Sequence, residues 1–182
     1  MRYESTRGRG DHRGFGDVLL EGLAPDGGLY VPVELPILSD STLRGFADKS
    51  FSEVATEVMW PFVAPEYEPD EFAELVARSY ESFGHPDVAP LRVLDQGRGE
   101  WLLELFWGPT LAFKDIALQF LSNFFQYSLE KHDRRLNILA ATSGDTGSSA
   151  IHGVRGRNRI SIFVMHPQGR VAPTQELQMT SV

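Results

Sequence analysis

The segment Gly108-Pro109-Thr110-Leu111-Ala112-Phe113-Lys114-Asp115 places a lysine between a short apolar run and a long amphipathic one. Gly108 stands six residues before Lys114, the spacing of a phosphate-binding nucleotidase loop. That reading fails, because Phe113 replaces the required second glycine and Asp115 replaces the Ser or Thr that would hold magnesium. What remains is a lysine at a predicted helix start, preceded by Leu111, Ala112 and Phe113. The positive end of the helix dipole and the apolar surround both work against an ammonium ion, while Asp115 works the other way. A lysine that gives up its proton readily suits Schiff-base chemistry with a carbonyl compound. The same pattern also describes an ordinary solvated lysine.

A second candidate is Thr142-Ser143-Gly144-Asp145-Thr146-Gly147-Ser148-Ser149, directly after the apolar run Leu136–Ala141. Its glycines let the backbone approach a ligand, and its hydroxyls and helix-start amides suit a carboxylate or phosphate. Alternatively, it is a capped strand-to-helix turn with Asp145 or Thr146 as N-cap. A place at the end of a predicted parallel strand favours ligand binding. The five histidines lack metal-ligand spacing, and no Gly-x-Ser-x-Gly elbow is present.

The elements that must hold these motifs are α/β in pattern. Before residue 89 the chain is expected to be mostly helical with short strands. Pro25-Asp26-Gly27-Gly28 reads as a turn between the apolar runs Asp17–Glu21 and Leu29–Val31. Ser39 or Ser41, Ser50 or Ser52, and Pro69-Asp70-Glu71 open three helices, with Pro61 and Pro65 limiting the second. After Pro90, strands are expected over Leu91–Leu94 and Trp101–Phe106, joined by a turn at Gln96-Gly97-Arg98-Gly99. Phe113, Ile116, Ala117, Phe120, Leu121 and Phe124 fall at helical spacing and predict a helix that buries this face and ends near Lys131. A buried strand over Leu136–Ala141, a short helix over Ser148–Val154, a strand over Ile160–Met165 and a helix from Pro173 complete a parallel βαβαβ pattern. Two domains are expected, residues 1–88 and 89–182.

Composition narrows the partners. The 182 residues contain no cysteine, which excludes disulfide, zinc-thiolate and Cys-nucleophile chemistry. The net charge of −8 resolves into +2 for residues 1–16, −13 for 17–104 and +3 for 105–182. Nucleic acid needs a concentrated basic surface, so it is disfavoured, whereas a small anionic ligand suits the last segment. No apolar run approaches the ~20 residues of a membrane span, and Met1–Arg7 lacks a signal-peptide pattern. A soluble, cytoplasmic protein is expected.

Five ordered stretches together resemble threonine synthase. They are Tyr3-Glu4-Ser5-Thr6-Arg7-Gly8, Leu23-Ala24-Pro25-Asp26-Gly27-Gly28-Leu29-Tyr30-Val31-Pro32, Phe106–Asp115, Ala141–Gly147, and His166-Pro167-Gln168-Gly169 with Gln178-Met179-Thr180. The family consists of pyridoxal-phosphate enzymes of the tryptophan synthase β fold type (fold type II), and the resemblance spans the whole chain. It implies that Lys114 is the Schiff-base lysine and moves protons at the substrate's α and β carbons. It also implies that Ser143, Gly144, Asp145 and Thr146 hold the amino acid's carboxylate, with Asp145 beside the cofactor's ring hydroxyl. The implied reaction turns O-phospho-L-homoserine and water into L-threonine and phosphate. Related phospholyases share these motifs and form the nearest alternative. Family members are longer, and their second Gly-rich loop, which cradles the cofactor phosphate, lies beyond the equivalent of Val182. The chain therefore reads as an N-terminal portion with an incomplete sheet, whose open edge favours self-association.

Overall fold

The computed structural model describes residues 1–182 and divides into two compact units, Met1–Ala77 and Arg78–Val182. In the first, β1 (Tyr3–Ser5) pairs antiparallel with β2 (Tyr30–Pro32), Tyr3 facing Pro32 and Ser5 facing Tyr30. The turn expected at Pro25–Gly28 is closed by Asp26, whose Oδ1 accepts from Ser5 Oγ at 2.7 Å and from the Gly28 amide at 2.9 Å. The Ser5 hydroxyl, followed by that amide, holds the Asp26 carboxyl below its ordinary range.

The run Asp17–Glu21 lies inside α1 (Phe15–Glu21), a helix the sequence pattern did not single out. Its start is made by a distant residue: Glu66 accepts from the amides of Phe15 and Gly16. A Cβ on Gly16 would stand 2.8 Å from Glu66 Oε2, so the small residue admits the carboxylate. Two of the predicted caps form as expected. Ser39 Oγ accepts from the Thr42 amide at 3.1 Å to start α2 (Asp40–Gly45), and Ser50 with Glu53 makes a capping box on α3 (Phe51–Val63). α3 continues through Pro61, which sits near its end where only one backbone bond is lost. The third of the predicted helices, α4 (Pro69–Tyr80), buries Phe72, Leu75, Val76 and Ser79, which fall at helical spacing.

The second unit opens with an antiparallel hairpin, β3 (Leu91–Asp95) and β4 (Glu100–Leu103), around the predicted Gln96–Gly99 turn. Then follow α5 (Asp115–Lys131), β5 (Leu136–Ala141), α6 (Asp145–Val154), β6 (Ile160–Met165) and α7 (Pro173–Thr180). β5 and β6 are parallel, with Leu136 opposite Ile160 and Ala141 opposite Met165. The parallel βαβ unit is thus β5-α6-β6, and β4 pairs with β3 instead of joining it.

Two buried surfaces differ from the sequence expectation. In α5 the apolar face is only partly buried: of the six residues at helical spacing Phe124 is fully enclosed, Ile116, Phe120 and Leu121 are half-buried, and Phe113 and Ala117 are exposed. The more enclosed face carries Asp115, Gln119, Ser122, Asn123 and Leu129, while Phe124 and Ser128 are enclosed on the apolar side. Gly153 explains this, because a Cβ there would stand 3.0 Å from Ser122 Cβ and from the Leu118 carbonyl. Close approach of α6 leaves room for small polar side chains, and each must then find a partner. Gln119 Nε2 donates to the Ser149 carbonyl at 3.1 Å, and Asn123 Nδ2 donates to Ser79 Oγ at 3.0 Å. Arg157 Nη2 donates to Asn123 Oδ1 at 2.9 Å. β5 is likewise not wholly buried. Alternate residues are open, and Leu139 (71% exposed) lies in register with Phe163 (61%), next to the pair Ala141 and Met165.

Candidate functional site

Lys114 is the residue on which α5 starts, with φ −64° and ψ −20°. The chain reaches it through a compact turn: the Leu111 amide donates to the Gly108 carbonyl at 3.1 Å, and Leu111 takes φ +63°. A left-handed conformation is uncommon for a non-glycine residue and persists only where its neighbours enforce it. The Lys114 ammonium lies 4.2 Å from the centre of the Phe113 ring, a cation–π distance. The side chain is half-buried and carries no ion pair.

Asp115 does not offset Lys114 as a paired charge. Its carboxylate points inward and is fully buried. Oδ2 accepts from the Thr110 amide at 2.7 Å, and Oδ1 accepts from Thr110 Oγ1 at 2.7 Å and from Ser149 Oγ at 2.5 Å. Three neutral donors therefore hold a buried anion, and each such bond is stronger than a neutral pair. Gly108 makes this possible, since a Cβ on it would stand 2.5 Å from Asp115 Oδ2 and 2.8 Å from Cγ.

The Ser143–Thr146 stretch is the entry into α6. Neither Asp145 nor Thr146 is the N-cap; that position belongs to Gly144, which has no side chain to serve. The preceding Thr142 takes over, its Oγ1 accepting from the amides of Gly144 and Gly147 at 3.3 Å each. The first-turn amides of Asp145 and Thr146 make no hydrogen bond within the chain. Ser143 and Thr146 are exposed and Gly144 is buried. Ser148 and Ser149, by contrast, face inward from α6 and are fully enclosed, so they are not part of the open stretch.

Three links bring these segments into one assembly. Ser149 ties α6 to the lysine turn through Asp115. Gln178 Nε2, from α7, donates to the Thr110 carbonyl at 3.2 Å. Gln175, one turn earlier on α7, donates to Asp145 Oδ1 and lies over Gly144, where a Cβ would meet its amide at 2.5 Å. The sequence singled out Lys114 and Ser143–Thr146; Thr110 and Ser149 stand inside the two motifs without a role of their own, and Gln175 and the contact made by Gln178 are not anticipated. No spacing rule links residues 34 or 68 positions apart.

The arrangement offers one amine without an ion pair, an open helix N-terminus with donors for an anion, and a carboxylate, Asp145, beside it. That donor set fits a carbonyl cofactor together with the carboxylate of an amino acid. No group of three or more His, Asp or Glu residues that could hold a metal ion is present. No helix is long and apolar enough to cross a membrane.

The chain is similar to known proteins along its whole length. Residues 2–80 match the family model described as threonine synthase N terminus. Threonine synthase from Schizosaccharomyces pombe is 48% identical over all of this chain and 37% of its own length. That from Pseudomonas aeruginosa is also 48% identical, over all of this chain and 38% of its own. The crystal structure of pyridoxal-phosphate-bound threonine synthase from Brucella melitensis superimposes with a TM-score of 0.93 at 46% identity, covering 99% of this chain and 38% of that one. The chain thus spans about 38% of the length of the relatives it matches.

Proposed function

The chain belongs to the threonine synthase family, to whose N-terminal portion it corresponds, and on that premise we propose that it contributes the reactive lysine and the substrate-carboxylate loop of a pyridoxal-phosphate-dependent enzyme of threonine biosynthesis. The proposed reaction converts O-phospho-L-homoserine and water to L-threonine and phosphate in the cytoplasm. Residues 1–88 form the family's N-terminal region in this reading, and residues 89–182 form the cofactor-binding part. The observation that carries it is the buried bond between Asp115 and Ser149, because it joins the lysine turn to the helix whose N-terminus is the anion loop.

The residues take the following roles. Lys114 would hold the cofactor through its carbonyl carbon, the carbonyl oxygen leaving as water, and would move protons at the substrate's α and β carbons. Ser143, Gly144 and Thr146, with the unpartnered first-turn amides of α6, receive the substrate carboxylate. Asp145, to which Gln175 donates, would lie beside the cofactor's ring hydroxyl. Pyridoxal phosphate supplies an electron-withdrawing ring that stabilises negative charge at the substrate's carbons. The chain's own contribution is orientation and proton transfer.

The chain contains three lysines, Lys49, Lys114 and Lys131, which makes the test direct. After incubation with pyridoxal phosphate and reduction with borohydride, peptide mapping is expected to find the label on Lys114. Lys114→Ala is expected to abolish it. The protein carrying this chain is expected to release phosphate and threonine from O-phospho-L-homoserine. Equal labelling of the three lysines, or a product other than threonine, overturns the reading. A second reading, association without catalysis, draws on the open row of Leu139, Phe163 and Met165. It predicts that Lys114→Ala leaves association unchanged.

A further inference from the structure

We propose that Ser149 is a positioning residue for Lys114, acting through the Asp115 carboxylate. The proposal rests on the reading of Lys114 as the reactive amine and adds to it a residue 35 positions away that no part of that reading requires. Asp115 follows Lys114 directly, so wherever its carboxylate is held, the backbone of Lys114 is held as well. Two of its three close donors, the amide and hydroxyl of Thr110, belong to the same turn and cannot fix that turn against anything else. Ser149 Oγ, at 2.5 Å, is the close donor from a different element. Gln119 Nε2 approaches the same oxygen only at 3.5 Å, the outer limit of a hydrogen bond. Without the Ser149 hydroxyl, the Asp115 carboxylate loses its short tie to α6 and its bonds to Thr110 open more readily, leaving the turn related to Ser143–Thr146 through the indirect bracing of α7.

The molecule supplies its own control. Ser148 precedes Ser149 on α6, is as deeply buried, and has a hydroxyl without a hydrogen-bond partner. Ser148→Ala and Ser149→Ala remove the same atom from adjacent enclosed positions, and only the second removes a bond to Asp115. An effect common to both reports packing. An effect confined to Ser149 reports positioning.

The experiment compares the unmodified chain with Ser148→Ala, Ser149→Ala and Ser149→Cys, each checked for folding by circular dichroism. Two quantities are read: the rate at which pyridoxal phosphate and borohydride label Lys114, normalised to Lys49 and Lys131, and the hydrogen-exchange rate of the Thr110 amide, which needs no cofactor. Ser149→Ala is expected to lower the normalised labelling and to raise Thr110 exchange by about tenfold each, the scale for losing a hydrogen bond to a charged group. Ser148→Ala is expected to change neither. Ser149→Cys, with a weaker donor in nearly the same shape, is expected to fall between, and it carries the comparison if Ser149→Ala does not fold. Equal behaviour of the Ser148 and Ser149 variants overturns the proposal. If the unmodified chain shows no preference for Lys114, the underlying functional reading fails instead, and Thr110 exchange still decides whether Ser149 holds the turn.

Discussion

Gln178 Nε2 donates to the carbonyl of Thr110 across 3.2 Å, joining the last helix to the turn that ends at Lys114. Gln175, three residues earlier and therefore on the same helical face, reaches Asp145 in the other loop. One face of α7 thus braces both loops of the candidate site, while Met179, the residue after Gln178, is buried near Gly147.

The first prediction concerns this brace. Gln175→Ala and Gln178→Ala are each expected to cost about 1 kcal/mol, the typical net value of an intramolecular hydrogen bond. Gln175→Glu is expected to cost more, because it sets a second carboxylate against Asp145. Urea denaturation of the single and double variants checks both amounts and their coupling.

Two glycines give opposite predictions. Gly108→Ala forces a methyl group to within 2.5 Å of Asp115 Oδ2 and is expected to destabilise by about 1–3 kcal/mol, as other overpacked sites do. Gly45→Ala, exposed at the end of α2 with nothing within 4 Å of the added carbon, is expected to stabilise by about 0.4–1 kcal/mol. Thermal unfolding of the two variants beside the unmodified chain separates the cases.

Stability is expected to fall in alkali through two phenols. Burial, and secondarily Glu66, pushes Tyr3 up from 10.0 to about 12, and burial pushes Tyr80 to about 12. A raised value means that the neutral phenol is favoured in the folded state. The associated stability is complete below pH 10 and is lost as pH rises through about 12. The bonds at stake run from Tyr3 to the Phe62 carbonyl (2.8 Å) and from Tyr80 to the Ile116 carbonyl (3.2 Å). Urea midpoints across this range are expected to drop less in Tyr80→Phe than in the unmodified chain.

The open sheet face yields a prediction about association. Replacing Leu139 and Phe163 with glutamine removes apolar surface that the chain leaves in water, so folding stability is expected to change by less than about 0.5 kcal/mol. Sedimentation velocity is expected to show less self-association in the double variant than in the unmodified chain.

These features differ in how far local sequence exposes them. Ser39 and Ser50 declare themselves as caps because the residues they serve lie within three positions. The parallel strands are legible from short apolar runs, and Lys114 and Ser143–Thr146 from their neighbours. The face of α5 is not legible, because period alone identifies an apolar stripe without identifying which stripe a neighbouring helix will cover. Gly153 decides that, from a different helix. The start of α1 is hidden for the same reason, its first amides being served by Glu66, about fifty residues away. Asp115 is the clearest case: beside Lys114 in sequence it reads as a counter-charge, yet its partners are Thr110 and Ser149.

The Asp115–Ser149 bond spans 34 residues of chain and so sets an order of assembly. Contacts between distant segments form only after the loop between them closes, and such closures slow folding. During synthesis the lysine turn leaves the ribosome before β5 and α6 exist to meet it. The turn that carries Lys114 is therefore made early but tied down late, once α6 has folded against it.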